Sequence, residues 1–136
     1  MSDTSLENAR KLINALPYAS ALGLTLEGFG EGWAEMEMPY DEALTGDPAT
    51  GVVHGGAVSA LLDTTCGAAV MGHPKTGPTT ATLDLRIDYM RPAVPGQVIR
   101  ARAEVVRVTR TIAFVRATTH DDGDDPIATA TGAFTS

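Results

Sequence analysis

The most constraining feature of this chain is one apolar segment, Ala57 to Met71, followed by a change of period. Val58, Leu61, Leu62, Cys66, Ala69 and Val70 recur at spacings of three and four, which makes an apolar helical stripe. Gly55-Gly56 opens the segment and Gly72-His73-Pro74 closes it, since glycine and proline terminate helices. Beyond it the period becomes two. Ala81, Leu83, Leu85, Ile87 and Tyr89 alternate with Thr80, Thr82, Asp84, Arg86 and Asp88. A turn at Pro95-Gly96 leads into three further strands, Val98–Val108, Thr111–Thr119 and Ile127–Phe134. The tip 121–125 carries four aspartates around Gly123, whose like charges favour solvent. Short connections of this kind imply antiparallel pairing. One helix is apolar enough to cover the sheet, so the expected fold is α+β, a curved antiparallel sheet wrapped around one long central helix.

The first third supplies less. Thr4-Ser5-Leu6-Glu7 has the form of a capping box, and Leu6, Ala9, Ile13 and Leu16 follow at helical spacing until Pro17 stops the run. Leu24–Glu27 and Trp33–Met38 alternate on either side of Gly28, Gly30 and Gly32 and read as a hairpin, with Trp33, Met36 and Met38 as packing residues. Residues 39–53 show no period and read as a loop. The 136 residues suit one domain, given roughly 100–200 residues per domain, with a helix over 1–18 and a core over about 20–135.

Charge and composition exclude several functions. Ten bases against seventeen acids give a net charge of −7, unsuited to nucleic acid, where phosphates must be neutralised. No apolar run reaches the ~18 residues of a membrane span. The start, Met1-Ser2-Asp3-Thr4, lacks the basic region of a signal peptide, and the single Cys66 allows no intrachain disulfide, so a cytoplasmic protein is expected. His54, His73 and His120 lack metal-ligand spacing and Cys66 stands alone, so no metal is expected. Gly56-Ala57-Val58-Ser59-Ala60 ends in alanine and fails the G-x-S-x-G pattern of a serine hydrolase. The acidic tip lacks the spaced ligands of an EF-hand. Seven of the ten bases fall between Arg86 and Arg116, where only Asp88 and Glu104 are acidic, a local excess of 7 − 2 = +5. Such a segment can guide a small polyanion; the plainer reading is arginines on the wet face of strands.

The candidate chemistry sits at His54-Gly55-Gly56 and Asp63. Two glycines at a helix start admit a ligand to backbone N–H groups that have no intrahelical partner and lie at the positive end of the dipole. Such a position suits an oxyanion developing on an acyl carbonyl; the bland alternative is a helix-entry turn. Aspartate is a poor mid-helix residue, and Ser59, Ala60 and Gly67 leave space beside Asp63, as a general base or nucleophile needs. Eight residues separate Gly55 from Asp63, about 12 Å at a rise of ~1.5 Å per residue. An attacking group must stand ~3–3.5 Å from the carbon it attacks. If both residues act, one helix cannot serve both roles, and the simplest site combines Gly55 of one subunit with Asp63 of another in a two-fold dimer.

The run His54-Gly55-Gly56-Ala57-Val58-Ser59-Ala60-Leu61-Leu62-Asp63, with Gly67-Ala68-Ala69, resembles the hotdog-fold acyl-CoA thioesterases of the phenylacetate-pathway (PaaI-like) type. Thr82 to Ala93, followed by Pro95-Gly96, is similar to that family's second signature, and the likeness covers about residues 20–135. It implies a homodimer, commonly paired into a homotetramer, that hydrolyses acyl-CoA without metal or cofactor, CoA being part of the substrate. It also implies Asp63 as the catalytic carboxylate, Gly55 as the donor to the thioester oxygen, His54 as the residue orienting the loop, and Gly56 and Thr82 as substrate-binding. Arg91 and Arg110 are candidates for the CoA phosphates, which guanidinium geometry favours. Pro48 stands where relatives often carry Asn or Gln, with Asp47 or Thr50 as substitutes. The acyl pocket is expected between loop 39–53 and a partner's helix, where Ala57, Ala60 and Ala68 would admit an aromatic or medium chain. Two rival functions remain open: an acyl-thioester dehydratase or hydratase, and a non-catalytic acyl-CoA-binding module.

Overall fold

The computed structural model describes residues 3–136. Two helices, α1 (Asp3–Asn14) and α2 (Pro17–Ala21), lead into a hairpin of β1 (Thr25–Gly30) and β2 (Trp33–Met38). A 3-10 turn (Glu42–Leu44) and a short pair, β3 (Thr45–Asp47) and β4 (Val52–Val53), precede the central helix α3 (Gly55–Met71). Four strands complete the chain: β5 (Thr82–Tyr89), β6 (Ile99–Val108), β7 (Ile112–His120) and β8 (Ala128–Thr135). The six long strands form one sheet in the order β1-β2-β6-β7-β8-β5, with every pair antiparallel. This is the expected architecture of a sheet around one helix.

Helix α3 buries most of its circumference. Leu61, Leu62, Cys66, Ala69 and Val70 are fully enclosed against Met36, Met38, Ile99, Val115 and Phe134 of the sheet. The buried Thr65 hydroxyl donates to the Leu61 carbonyl at 2.7 Å, so no polar group is stranded there. One stripe stays half-open: Ala60, Asp63, Thr64, Gly67 and Met71, at spacings of three and four. Asp63 therefore sits on the one flank of the core helix that the chain leaves uncovered.

Several expectations are refined. Pro17 ends α1 and also begins α2, because its fixed φ and missing N–H suit a first helical position. Leu16 thus lies beyond α1, outside that helix's stripe. Helix α1 opens at Asp3; the Thr4 side chain expected to cap it lies outside the described side chains. Loop 39–53 is more ordered than its lack of period suggests. Asp41 accepts from the Ala43 N–H at 2.9 Å to cap the 3-10 turn, and the His54 N–H donates to the Leu44 carbonyl at 2.8 Å. Gly46 is required by this packing, since a Cβ there would lie 2.9 Å from His54 Cα.

The arginine-rich segment follows the plainer reading. Arg102 donates to Glu35 at 2.6 Å and covers the Trp33 ring at 4.7 Å, while Arg100 pairs with Glu37 at 3.2 Å. Strand register places these pairs side by side, Glu35 opposite Arg102 and Glu37 opposite Arg100. The local excess in the sequence is offset in part by two acids of β2, which lies sixty-odd residues earlier.

Candidate active site

His54 caps α3. Its backbone is extended (φ −61°, ψ 136°), and its Nδ1 accepts the Gly56 N–H at 2.7 Å. An accepting Nδ1 places the proton of the neutral ring on Nε2. Gly56 is forced by this cap, because a Cβ there would stand 2.9 Å from Nδ1. With the Gly56 amide occupied, the Gly55 N–H is the donor at the helix start that has no partner among the described residues. A Cβ at Gly55 would meet the Tyr89 ring at an ordinary 3.4 Å, so packing inside this chain does not demand glycine there. The Tyr89 hydroxyl donates to the Gly55 carbonyl at 3.0 Å and ties this end of α3 to the end of β5.

Asp63 lies two turns further along. Its Oδ1 accepts the Thr82 hydroxyl at 2.6 Å, a short charge-assisted bond that holds the carboxylate at the start of β5. Beneath it, burial and then the Asp63 charge push the Cys66 thiol up to about 12, so that sulfur stays protonated and inert. Asp63 and Thr82 border a cavity of about 410 Å³ walled by Leu12, Leu16, Met71 and Phe134. Gly55 and Tyr89 border a separate cavity of about 350 Å³ with Val53, Val58 and Ile127. The two cavities share no residue. The structure thus brings Thr82 to Asp63, and His54 and Gly56 to Gly55, but leaves the two groups apart within one chain. Within one chain the space beside Asp63 is walled by the N-terminal segment and residues 78–82. Of the small residues expected to admit the acyl group, Ala68 lines it and Ala57 and Ala60 do not.

Arg91 requires a correction. Arginine has five N–H donors, and all five are engaged: Nη1 and Nη2 reach Asp121 at 2.8 and 2.7 Å, Nε and Nη2 reach the Asp125 carbonyl at 3.1 and 2.6 Å, and Nη1 reaches the Pro92 carbonyl at 3.2 Å. Asp121 is buried and also accepts the Val94 and Gly123 amides at 3.0 and 2.9 Å. The Arg91 hydrogen bonds hold its carboxyl far below the usual carboxylate range. Arg91 therefore clamps the end of β5 to the β7–β8 turn and has no donor left for a phosphate. Arg110 differs: it is exposed in the β6–β7 turn and free of ion pairs among the described residues. That turn lies at the sheet end that carries Thr82, since Ile112 pairs with Thr135 and Thr82 with Phe134. The two side chains considered as substitutes near Pro48 turn back on their own loop, Asp47 to the Ala49 N–H and Thr50 to the Val52 N–H. The alternation of β5 marks Tyr89 only as a strand position, and its hydroxyl, a polar tip on an apolar ring, is the one signal of a bonding role.

The model of the thioesterase superfamily matches residues 50–128, a span that contains the cap, Asp63, Thr82 and Tyr89. The chain belongs to the thioesterase superfamily. It is 28% identical over 94% of its length to a medium/long-chain acyl-CoA thioesterase, YigI, of Salmonella typhimurium, and covers 94% of that protein. Among solved structures, a Pseudomonas aeruginosa protein is 42% identical with a TM-score of 0.85, covering 96% of this chain and 98% of that one. The Escherichia coli PaaI protein of the phenylacetic acid degradation operon superposes with a TM-score of 0.85 at 22% identity over 95% of this chain and 90% of that one. The fold is the hotdog of PaaI and its relatives, and the enzyme is a thioester hydrolase. No helix among the described residues is long and apolar enough to cross a membrane.

Proposed function

We propose that this thioesterase hydrolyses acyl-CoA in a composite site built by two copies of the chain. The Gly55 N–H of one copy polarises the thioester carbonyl and Asp63 of the other supplies the base or nucleophile. The observation that carries this reading is the placement of both half-sites on β5. Asp63 is bonded at its first residue, Thr82, and Gly55 at its last, Tyr89. Among the described residues β5 is an edge strand that pairs only with β8, and Leu83 and Tyr89 are 56% and 53% exposed along it. A long edge with apolar side chains is a template for another strand. Antiparallel pairing with the β5 of a second copy lays the Thr82 end of each strand beside the Tyr89 end of the other.

Charge selects a register. Residues directly opposite in an antiparallel pair share a face. Centring the pair on Leu85 sets Asp84 against the partner's Arg86 and repeats the match by symmetry, with Thr82 beyond the irregularity that separates it from Asp84. The half-open stripe of α3 that holds Asp63 then faces the neighbouring copy.

In the reaction, the Gly55 amide and the helix dipole stabilise negative charge on the carbonyl oxygen. Asp63 either takes a proton from a water that adds to the carbonyl carbon, or adds to that carbon itself to give an anhydride that water then opens. In both routes the carbon–sulfur bond breaks and CoA departs as a thiolate that acquires a proton. Thr82 holds Oδ1 and so sets the direction of Oδ2. No metal or cofactor enters either route. The name of the YigI relative supports acyl-CoA as the substrate class. Pairing of dimers into a tetramer and a cytoplasmic location extend the proposal, the first from the family resemblance and the second from the single thiol. The test is thiol release from a panel of acyl-CoAs by wild type and Asp63→Asn. The expected result is turnover by wild type and a loss of about 10²–10⁴-fold in the variant at unchanged Tm. Full activity of Asp63→Asn, or binding of acyl-CoA by wild type without any thiol release, contradicts the proposal.

A further inference from the structure

We infer that α1 and the turn after it form the outer wall of the acyl site, and that Leu12 and Leu16 gauge the length of an uncharged, apolar acyl tail. The inference rests on the hydrolase reading above and assigns the cavity beside Asp63. Helix α1 is fastened to the body by a stripe of its own: Ile13 is buried, Leu6 and Ala9 pack against the core, and Arg10 Nε donates to the Leu26 carbonyl at 2.8 Å. Leu12 and Leu16 lie off that stripe. They stay 46% and 43% exposed, yet both border the cavity that holds Asp63. Two leucines four residues apart, half in water at the rim of a cavity, gain burial when an apolar ligand enters.

The far walls fit the same occupant. Met71 is an adaptable gap-filler and Phe134 closes the floor. Gly67 keeps the middle open, for a Cβ there would find its nearest neighbours at 4.0 Å. The polar groups are Asp63 and the threonines at 64, 79, 80 and 82, and among the described residues no lysine, arginine or histidine borders the cavity. An acyl group ending in a carboxylate would find no counter-ion and would face the charge of Asp63. The volume of about 410 Å³ lies within the range of about 300–1,000 Å³ typical of small-molecule sites.

The experiment measures kcat and KM by thiol release for saturated acyl-CoAs of increasing length, in wild type and in the Leu12→Ala/Leu16→Ala double variant. In wild type, kcat/KM is expected to climb about fourfold for each methylene that reaches the leucines. In the double variant the climb flattens: the loss is slight for the shortest chain, exceeds about tenfold for the longest, and falls mainly on KM. Leu16→Trp, which narrows the same wall and leaves the buried Ile13 unmutated, shifts the optimum to shorter chains and serves if the double variant is unstable. An equal loss at every length, or none at any, overturns the inference and leaves the hydrolase reading standing. Absence of thiol release by wild type overturns the hydrolase reading instead. The wall is then decided by the Kd of inert thioether analogues: a length dependence that the variant loses supports it, and identical series in both proteins overturn it.

Discussion

The two ends of β5 are built differently. At the Tyr89 end the functional group is a backbone amide, and everything around it restricts motion: the His54 cap, the Gly56 that the cap requires, and the Tyr89 bond to the Gly55 carbonyl. Arg91, two residues on, clamps the strand through Asp121. At the Thr82 end the functional group is a side chain, held by a single bond and bordering a half-open apolar cavity. The stiff end suits a task common to every thioester, since any acyl carbonyl presents the same oxygen. The open end suits the part of the substrate that varies. Oxyanion donors act by being preorganised, whereas selectivity for apolar tails comes from the shape of a pocket.

Apart from loss of the Asp63 carboxylate itself, breaking the stiff end at its amide should have the largest effect. Proline is tolerated at a first helical position and deletes the N–H alone, and a Cβ at this site meets only Tyr89 at a normal distance. Gly55→Pro should therefore fold with near wild-type Tm and lose about 10²–10³ in kcat. Preserved kcat would show that the donor lies elsewhere. Next, Gly56→Ala drives a methyl to within 2.9 Å of His54 Nδ1. It should lower kcat about tenfold or more, and equally for short and long acyl chains, because the carbonyl end does not sense the tail.

At the open end, Thr82→Val removes the 2.6 Å bond and keeps the volume. A hydrogen bond to a charged group is worth about 1.5–3 kcal/mol, and a fall of about tenfold in kcat with KM little changed is expected, with Thr82→Ser restoring most of it. A change confined to KM would make Thr82 a binding residue alone. The smallest effect on activity is expected at the clamp. The Asp121 pKa is depressed by folding, so its stabilisation is complete above its unfolded value near 3.8 and is lost as pH falls below that. Asp121→Asn should lower Tm at pH 7, and the gap to wild type should close under strong acid, with kcat/KM at low temperature largely kept. A Tm gap independent of pH would refute the assignment of the clamp.

Much of this was legible in the chain because period and spacing are local properties. The switch from threefold and fourfold to twofold recurrence at residue 72 marks the helix inside a sheet, and the eight residues from Gly55 to Asp63 already separate the half-sites. What was illegible depends on partners distant in sequence. The fate of Arg91 is decided by Asp121, thirty positions later, and that of Arg100 and Arg102 by acids more than sixty earlier. Residues 39–53 lack a period because their order comes from single caps and one close approach, at Asp41 and Gly46, which leave no repeating trace. The cavity beside Asp63 escaped because its outer wall comes from α1 and the turn after it, some fifty residues earlier.

The composite site is tested most directly by mixing two inactive proteins, Gly55→Pro and Asp63→Asn, under conditions that exchange subunits. If each site takes its amide from one copy and its carboxylate from the other, a mixed dimer holds one intact site and one doubly damaged site. Half the dimers are mixed at random exchange, so activity should recover to about one quarter of wild type. Activity that stays at the sum of the two parents, with subunit exchange verified, would place both groups in one chain and contradict the account.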